Sequence, residues 1–323
     1  MMKKNKGIAL KLSLLILSSI SLIFLLIFAY NYYVSRQIIL KNIEANARNH
    51  ASATVHQIDA ILRSLEKVPE TIVCYLQNFH YDRDDILKLL RSVIDSNPQI
   101  YGATIAFEPY AFENRRLFAP YFYQRNGQIN FTYIPYEYFY WDWYQIPKEL
   151  NQPAWTEPYY DEGAGEIIMA TYSVPFYRNV SGKRKLIGVV TADISLSWLQ
   201  KIVASIKIAE TGYGFLISKN GAFVTHPNTN FIMNETIFSV AEARADKRMR
   251  ELGRKMIKGQ SGFVPFQSLI TGKNCWMVYA PLPANGWSLG VLFPQNELMA
   301  DIASLNYIVL VLSFGGFLLL LGI

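Results

Sequence analysis

Leu186-Ile187-Gly188-Val189-Val190-Thr191-Ala192-Asp193-Ile194 is an apolar run of strand character with one acid near its far end. About fifty residues earlier stands an aromatic run, Tyr136-Glu137-Tyr138-Phe139-Tyr140-Trp141-Asp142-Trp143-Tyr144. It leads into Trp155-Thr156-Glu157-Pro158-Tyr159-Tyr160-Asp161. Aromatic side chains supply large, stiff contact area with polar tips, which suits a small-ligand pocket. An acid beside such a pocket asks for a cationic group on the ligand. The combination points to a receptor before it points to an enzyme.

Two uncharged runs frame the chain. The first, 12–30, has 19 residues, mostly Leu and Ile, and at about 1.5 Å per residue it nearly crosses a hydrocarbon core of roughly 30 Å. Lys3, Lys4, Lys6 and Lys11 precede it, which places the amino terminus in the cytoplasm. Tyr30, Tyr32 and Tyr33 suit the outer interface. A cleaved signal peptide competes with this reading, but the run exceeds an h-region of about 7–15 residues and no small-x-small site follows it. The second run, 302–323, ends with the chain, as the front part of a longer protein cut in its second span would. The expectation is a two-pass protein of the plasma (inner) membrane, with 1–11 cytoplasmic, 12–30 and 302–323 spanning, and 31–301 outside.

The outer segment of roughly 270 residues suits two compact units. The formal charge of +6 owes four units to the lysines before the first span, and no basic stretch interleaved with aromatics suggests nucleic acid. Cys74 and Cys275 read as separate buried thiols, not a disulfide framework.

From Tyr32 to Val68 there is neither Pro nor Gly, and Ile39, Ile43, Ala47, Ala51, Val55, Ile58, Leu62 and Leu65 form one helical stripe. This predicts a stalk helix over 31–68, on the order of 55 Å long, that packs on its own domain or pairs with its copy in a homodimer. Pro69 opens a second helical stretch to Asn97. Strands follow at 100–107 and 121–131, the latter a hairpin turning at Asn126-Gly127, and at 167–177 and 186–194 around Ser181-Gly182-Lys183. A helix over 198–208 marks the boundary between a unit at 69–200 and one at 201–300. The second unit opens with a hairpin at 212–224. A charged helix over 237–258 follows, whose Arg244, Lys247, Arg248, Arg250, Arg254 and Lys255 alternate with acids and read as a solvated face. Strands are expected at 262–267, 275–280 and 287–293. Tyr172-Ser173-Val174-Pro175 with Gly188-Val189-Val190 is echoed by Tyr279-Ala280-Pro281 with Gly290-Val291-Leu292, as two copies of one α/β sandwich stacked on a long helix would be.

Taken in this order between two spans, W-T-E-P-Y-Y-D, G-V-V-T-A-D-I-S-L, G-Y-G-F-L-I-S-K-N-G-A-F-V-T-H-P and G-W-S-L-G-V-L-F-P resemble the double-Cache extracellular sensor family over roughly residues 33–300. That family occurs in chemoreceptors, histidine kinases, diguanylate cyclases and PPM-type serine phosphatases. The resemblance implies an α+β fold: a long stalk helix carrying two PAS-like modules, each an antiparallel sheet flanked by helices, with the ligand in the membrane-distal one. It is closest to the subset that binds amino acids through a Tyr, an Arg five positions on, Trp-Tyr, and a later Tyr and Asp. Tyr136, Trp143, Tyr144, Tyr159 and Asp193 match those positions, while the Arg position holds Trp141. Without a guanidinium fork for a carboxylate, the resemblance implies an amine held by Asp193 and walled by Tyr136, Trp141, Trp143, Tyr144 and Tyr159. A free amino acid is the alternative. The wording around Trp141 and Gly163 looks most like the sensors of PPM-type phosphatases.

No catalytic set, metal site or cofactor motif stands out. Glu157 and Asp161 read as loop carboxylates, Gly163-Ala164-Gly165 as a turn, and the four histidines lack zinc spacing. A sensory receptor with its output beyond the second span explains most of these features. A membrane-tethered binding protein and an extracytoplasmic enzyme explain fewer.

Overall fold

A computed structural model describes residues 4–180, 182–205, 210–299, 311 and 315. The span expected over 302–323 lies outside them apart from two positions, as do Ser181 and the 206–208 end of the helix expected after the first unit. The chain begins with α1 (Lys4–Asn78), 75 residues in one helix and about 110 Å long at 1.5 Å per residue. Among the described residues it is the one helix long and apolar enough to cross a membrane. Leu22, Ile23, Phe24 and Leu25 are exposed, as lipid-facing side chains are.

Higher up, the stripe turns inward. Ala47, Ala51, Val55, Ile58, Leu62 and Leu65 are buried against the protein's own sheets, while Ile39 and Ile43 below them stay half-exposed. Pro69 does not end this helix. It sits buried inside α1, which runs on through Ile72, Val73 and Leu76 to Asn78. Packing of that face outweighs the hydrogen bond proline withholds. The chain breaks instead before α2 (Arg83–Ser96), where Asp82 and Asp85 form a reciprocal cap.

Two antiparallel sheets follow. The first comprises β1 (Gly102–Phe107), β2 (Pro120–Arg125), β3 (Gln128–Tyr133), β4 (Ala154–Trp155), β5 (Tyr159–Tyr160), β6 (Ile168–Val180) and β7 (Lys183–Ser195), with α3 (Asp142–Leu150) between β3 and β4. Its order is β3-β2-β1-β7-β6-β4, with β5 also on β6. Asn126 (φ 53°) and Gly127 (φ 73°) give the β2–β3 turn the two positive φ values a tight hairpin needs. After α4 (Leu196–Ala204) the second sheet holds β8 (Tyr213–Ile217), β9 (Phe223–Thr225), β10 (Gly262–Gln267), β11 (Asn274–Pro281) and β12 (Ser288–Pro294), ordered β10-β11-β12-β8-β9. The charged segment over 237–258 is two helices, α5 (Ile237–Ala243) and α6 (Lys247–Ile257). Ala245 at φ 52° breaks them apart and Asp246 caps the second by accepting from the Met249 amide. A short α7 (Gln295–Leu298) closes the described chain.

The echo in the sequence is a repeat of strand order: β2-β1-β7-β6-β4 and β9-β8-β12-β11-β10 are the same path. It does not hold residue by residue. Gly188 packs on Phe176 in the core shared with α1, whereas Gly290 packs on Phe215 in the core under α5 and α6. The two glycines face opposite sides of their sheets.

The long helix α1 lies against both sheets, on β6, β7, β11 and β12. Polar ties follow its length: Asp59 accepts from the Ala284 amide at 2.6 Å, Glu66 from Trp155 Nε1 at 2.7 Å, and Glu70 from Tyr172 Oη at 3.1 Å. At its end Arg178 donates to the Leu76 and Phe79 carbonyls, both at 2.9 Å, supplying the cation a helix C-terminus favours. Trp155 stands at the junction, with its ring 5.3 Å from Tyr172 and 5.9 Å from Trp287 of the second sheet. Trp155→Phe keeps a ring there but removes the donor to Glu66. It is expected to cost about 1.5–3 kcal/mol, read as a lowered melting temperature of the detergent-held chain, with Glu66→Gln milder because it keeps an acceptor.

Candidate ligand-binding site

Alternation along β7 puts Thr191 and Asp193 on the face turned away from α1. Cross-strand register then fixes the neighbours of Asp193: Thr171 opposite on β6 and Gly102 opposite on β1. Gly102 leaves room for the Tyr121 hydroxyl, which would stand 2.1 Å from a Cβ built there. Thr171 Oγ1 donates to Asp193 Oδ1 at 2.8 Å, so the Tyr159 hydroxyl, 2.7 Å from the same Oγ1, is left to donate to it. The Tyr121 hydroxyl lies toward the same carboxylate but completes no hydrogen bond.

The segment between β3 and β6 covers this face. Its Tyr136 Oη donates to Asp161 Oδ1 at 3.1 Å, and Asp161 Oδ2 accepts from the Gly165 amide at 2.5 Å. Asp161 thereby ties down the Gly163-Ala164-Gly165 turn, whose Gly163 has φ 83°. Asp161 and Asp193 are 4% and 3% exposed. They share a cavity of about 10 Å³, room for roughly one water. Four aromatic side chains, Tyr121, Tyr136, Trp143 and Tyr159, and three threonines complete most of the wall. Among the described residues, no Lys, Arg or His lines it. The cations nearby are held elsewhere: Arg125 by Glu166 at 3.1 Å, Lys148 by Glu108 at 2.8 Å, and Arg116 by Glu137.

Burial pushes the Asp193 carboxyl up to about 7, with the charge of Asp161 adding to it and the Thr171 hydrogen bond opposing. Burial also raises Asp161, against the bonds from Gly165 and Tyr136. The Tyr121 and Tyr159 phenols are raised well above their ordinary range, first by burial and then by Asp193.

Of the six residues singled out in the sequence, Tyr136, Trp143, Tyr159 and Asp193 meet in this cavity. The other two do not line it. Trp141 stands at the N-cap of α3 with its ring 4.9 Å from that of Tyr136, as a support for that wall. Tyr144 points into the core and donates to Glu108 Oε1 at 2.8 Å. Consecutive helical residues diverge by about 100°, so Trp143 and Tyr144 cannot both face the cavity. The sequence reads Asp161 as a loop carboxylate and does not single out Tyr121 or Thr171. The available signal was polar residues at alternate positions in buried strands, as in Thr171-Tyr172-Ser173 and Thr191-Ala192-Asp193.

Residues 86–201 match the first PDC sensor domain of methyl-accepting-chemotaxis-protein-like receptors, and residues 168–307 match the Cache 3/Cache 2 fusion domain. Together the two matches cover residues 86–307, over which the chain is similar to Cache-type extracellular sensors. Methyl-accepting chemotaxis protein McpA of Pseudomonas putida is 26% identical over 293 residues, which cover 87% of this chain and 39% of that protein. The extracellular domain of the putative histidine kinase mmHK1S-Z3 superposes with a TM-score of 0.68 at 24% identity, over 83% of this chain and 98% of that one. The ligand-binding domain of the Pseudomonas aeruginosa amino acid chemoreceptor PctB, solved with L-Arg, gives a TM-score of 0.59 at 18% identity, over 82% and 93%. These two structures share the Cache fold. The chain spans less than half the length of the curated relatives McpA and McpC.

A carboxyl raised from its ordinary value to about 7 binds its proton more tightly in the folded chain than in the unfolded one. Its contribution to stability is full below about pH 4 and is lost as pH rises through about 7. Asp193→Asn removes that loss. Its melting temperature, relative to the native chain, is expected to climb between about pH 4 and pH 7; parallel pH profiles for the two proteins would contradict the assignment.

Proposed function

We propose that this is the sensor region of a two-pass receptor whose first-sheet cavity takes a small ligand through its ammonium group. In this reading residues 69–200 form the ligand-holding, membrane-distal module. Residues 201–300 form the proximal one, which relays the state of the cavity through 302–323 to a cytoplasmic output. The observation that carries the ligand class is the wall itself: two buried carboxylates and four aromatic rings with no cation among the described lining residues. A buried carboxylate is costly unless paired, and an entering ammonium supplies the partner while the rings face its charge. The walls stand too close for a ligand larger than water, so the cover between β3 and β6 moves outward as one enters.

A free amino acid is the second reading. PctB was solved with one, and an amino acid brings the same ammonium. Its carboxylate, however, finds no guanidinium, because Trp141, which backs the Tyr136 wall, stands where the amino-acid-binding pattern has Arg. The homodimer through the lower stalk belongs to this proposal too, with Ile38 and the half-exposed Ile39 and Ile43 as its seam.

A thermal-shift series on the detergent-held chain tests the ligand class. Small primary or methylated amines are expected to raise the melting temperature. Asp193→Asn should weaken that binding about ten- to a hundredfold, the loss of roughly 1.5–3 kcal/mol. Trp141→Arg should move preference toward amino acids. If no amine moves the native chain, the reading is wrong.

A further inference from the structure

The second sheet repeats the strand order of the first, and it too carries a cavity on the face away from α1, under the segment that joins its second and third strands. That segment is α5 and α6, and the cavity lies between α6 and the β10–β11 edge. At about 1000 Å³ it has the size of a small-molecule site. Its floor is apolar. Met249, Leu252 and Cys275 are buried there, with Val264, Phe266 and Leu269 partly so.

Its charge is the reverse of the first cavity's. Arg244, Lys247, Arg248 and Lys255 line it, against Asp246 and Glu251. Asp246 is engaged in capping α6, accepting from the Met249 amide at 3.0 Å. Arg244 donates to the Leu269 carbonyl at 3.2 Å. The side chains of Lys247, Arg248 and Lys255 are exposed and make no ion pair or hydrogen bond among the described residues. A helix presenting cations only to solvent needs neither a cleft nor an apolar floor beneath them.

We propose that this cleft is a second ligand site, which takes an organic carboxylate with an apolar body. The excess of cations is small, which suits one negative charge better than a polyanion, and the floor buries the apolar part as the rim pairs the carboxylate. The site stands independently of the amine reading, since it shares no lining residue with the first cavity.

Phenylacetate and its uncharged amide, phenylacetamide, are suitable probes on the full chain in a neutral detergent. Phenylacetate is expected to raise the melting temperature and the amide not, with the effect shrinking at high salt. The exposed pair Lys247→Glu/Arg248→Glu should weaken binding at least tenfold, while Asp193→Asn leaves it unchanged. A methyl-labelled Met249 should also shift in NMR spectra on adding phenylacetate to the native chain. The proposal is overturned if the acid and the amide act alike, if the charge-reversed pair still binds, if Asp193→Asn abolishes binding, or if Met249 does not respond.

Discussion

Much of the first layer is arranged around one uncomfortable group, a carboxylate 3% exposed on the central strand β7. Burying a charge costs several kcal/mol unless it is paired or protonated. The chain meets this cost with a single firm hydrogen bond, from Thr171, and with a raised proton affinity. Gly102 on one flank and Thr171 on the other are where they are because register puts them opposite Asp193. The aromatic cover buries the carboxylate without supplying a cation. An arrangement of this kind is unspecialised for stability and well suited to a charged visitor.

The same cover is tied to the rest of the molecule. Its stretch over 154–160 carries Tyr159 to the cavity, Trp155 to Glu66 on α1 and to Trp287, and Glu157 to Asn220 in the β8–β9 turn at 2.8 Å. One short segment therefore touches the cavity, the long helix α1 and the second sheet.

What the sequence made legible was local chemistry. The α1 stripe follows helical period, the β2–β3 hairpin follows Asn126-Gly127, and Asp193 stands out because an acid rarely closes an apolar strand. What it hid depended on distant contacts. Pro69 reads as a helix breaker until the sheets that bury its face are in place. The break at Ala245 rests on a backbone conformation that Ala seldom adopts. Asp161 looks like a loop carboxylate because its burial comes from Tyr136 and the cover, and Thr171 gains meaning only through its register with Asp193. Tyr144 was placed with Trp143 because adjacency in a motif does not reveal the turn of α3 that separates them.

That Asp193 is a buried acid able to take a cation is tested by 13C NMR of aspartate-labelled protein, with Asp193→Asn identifying the resonance. Asp193 is expected to titrate with a midpoint near 7, falling by at least one unit when a saturating small amine is added. A midpoint near the ordinary carboxylate value of about 3.9, unchanged by any amine, would contradict it.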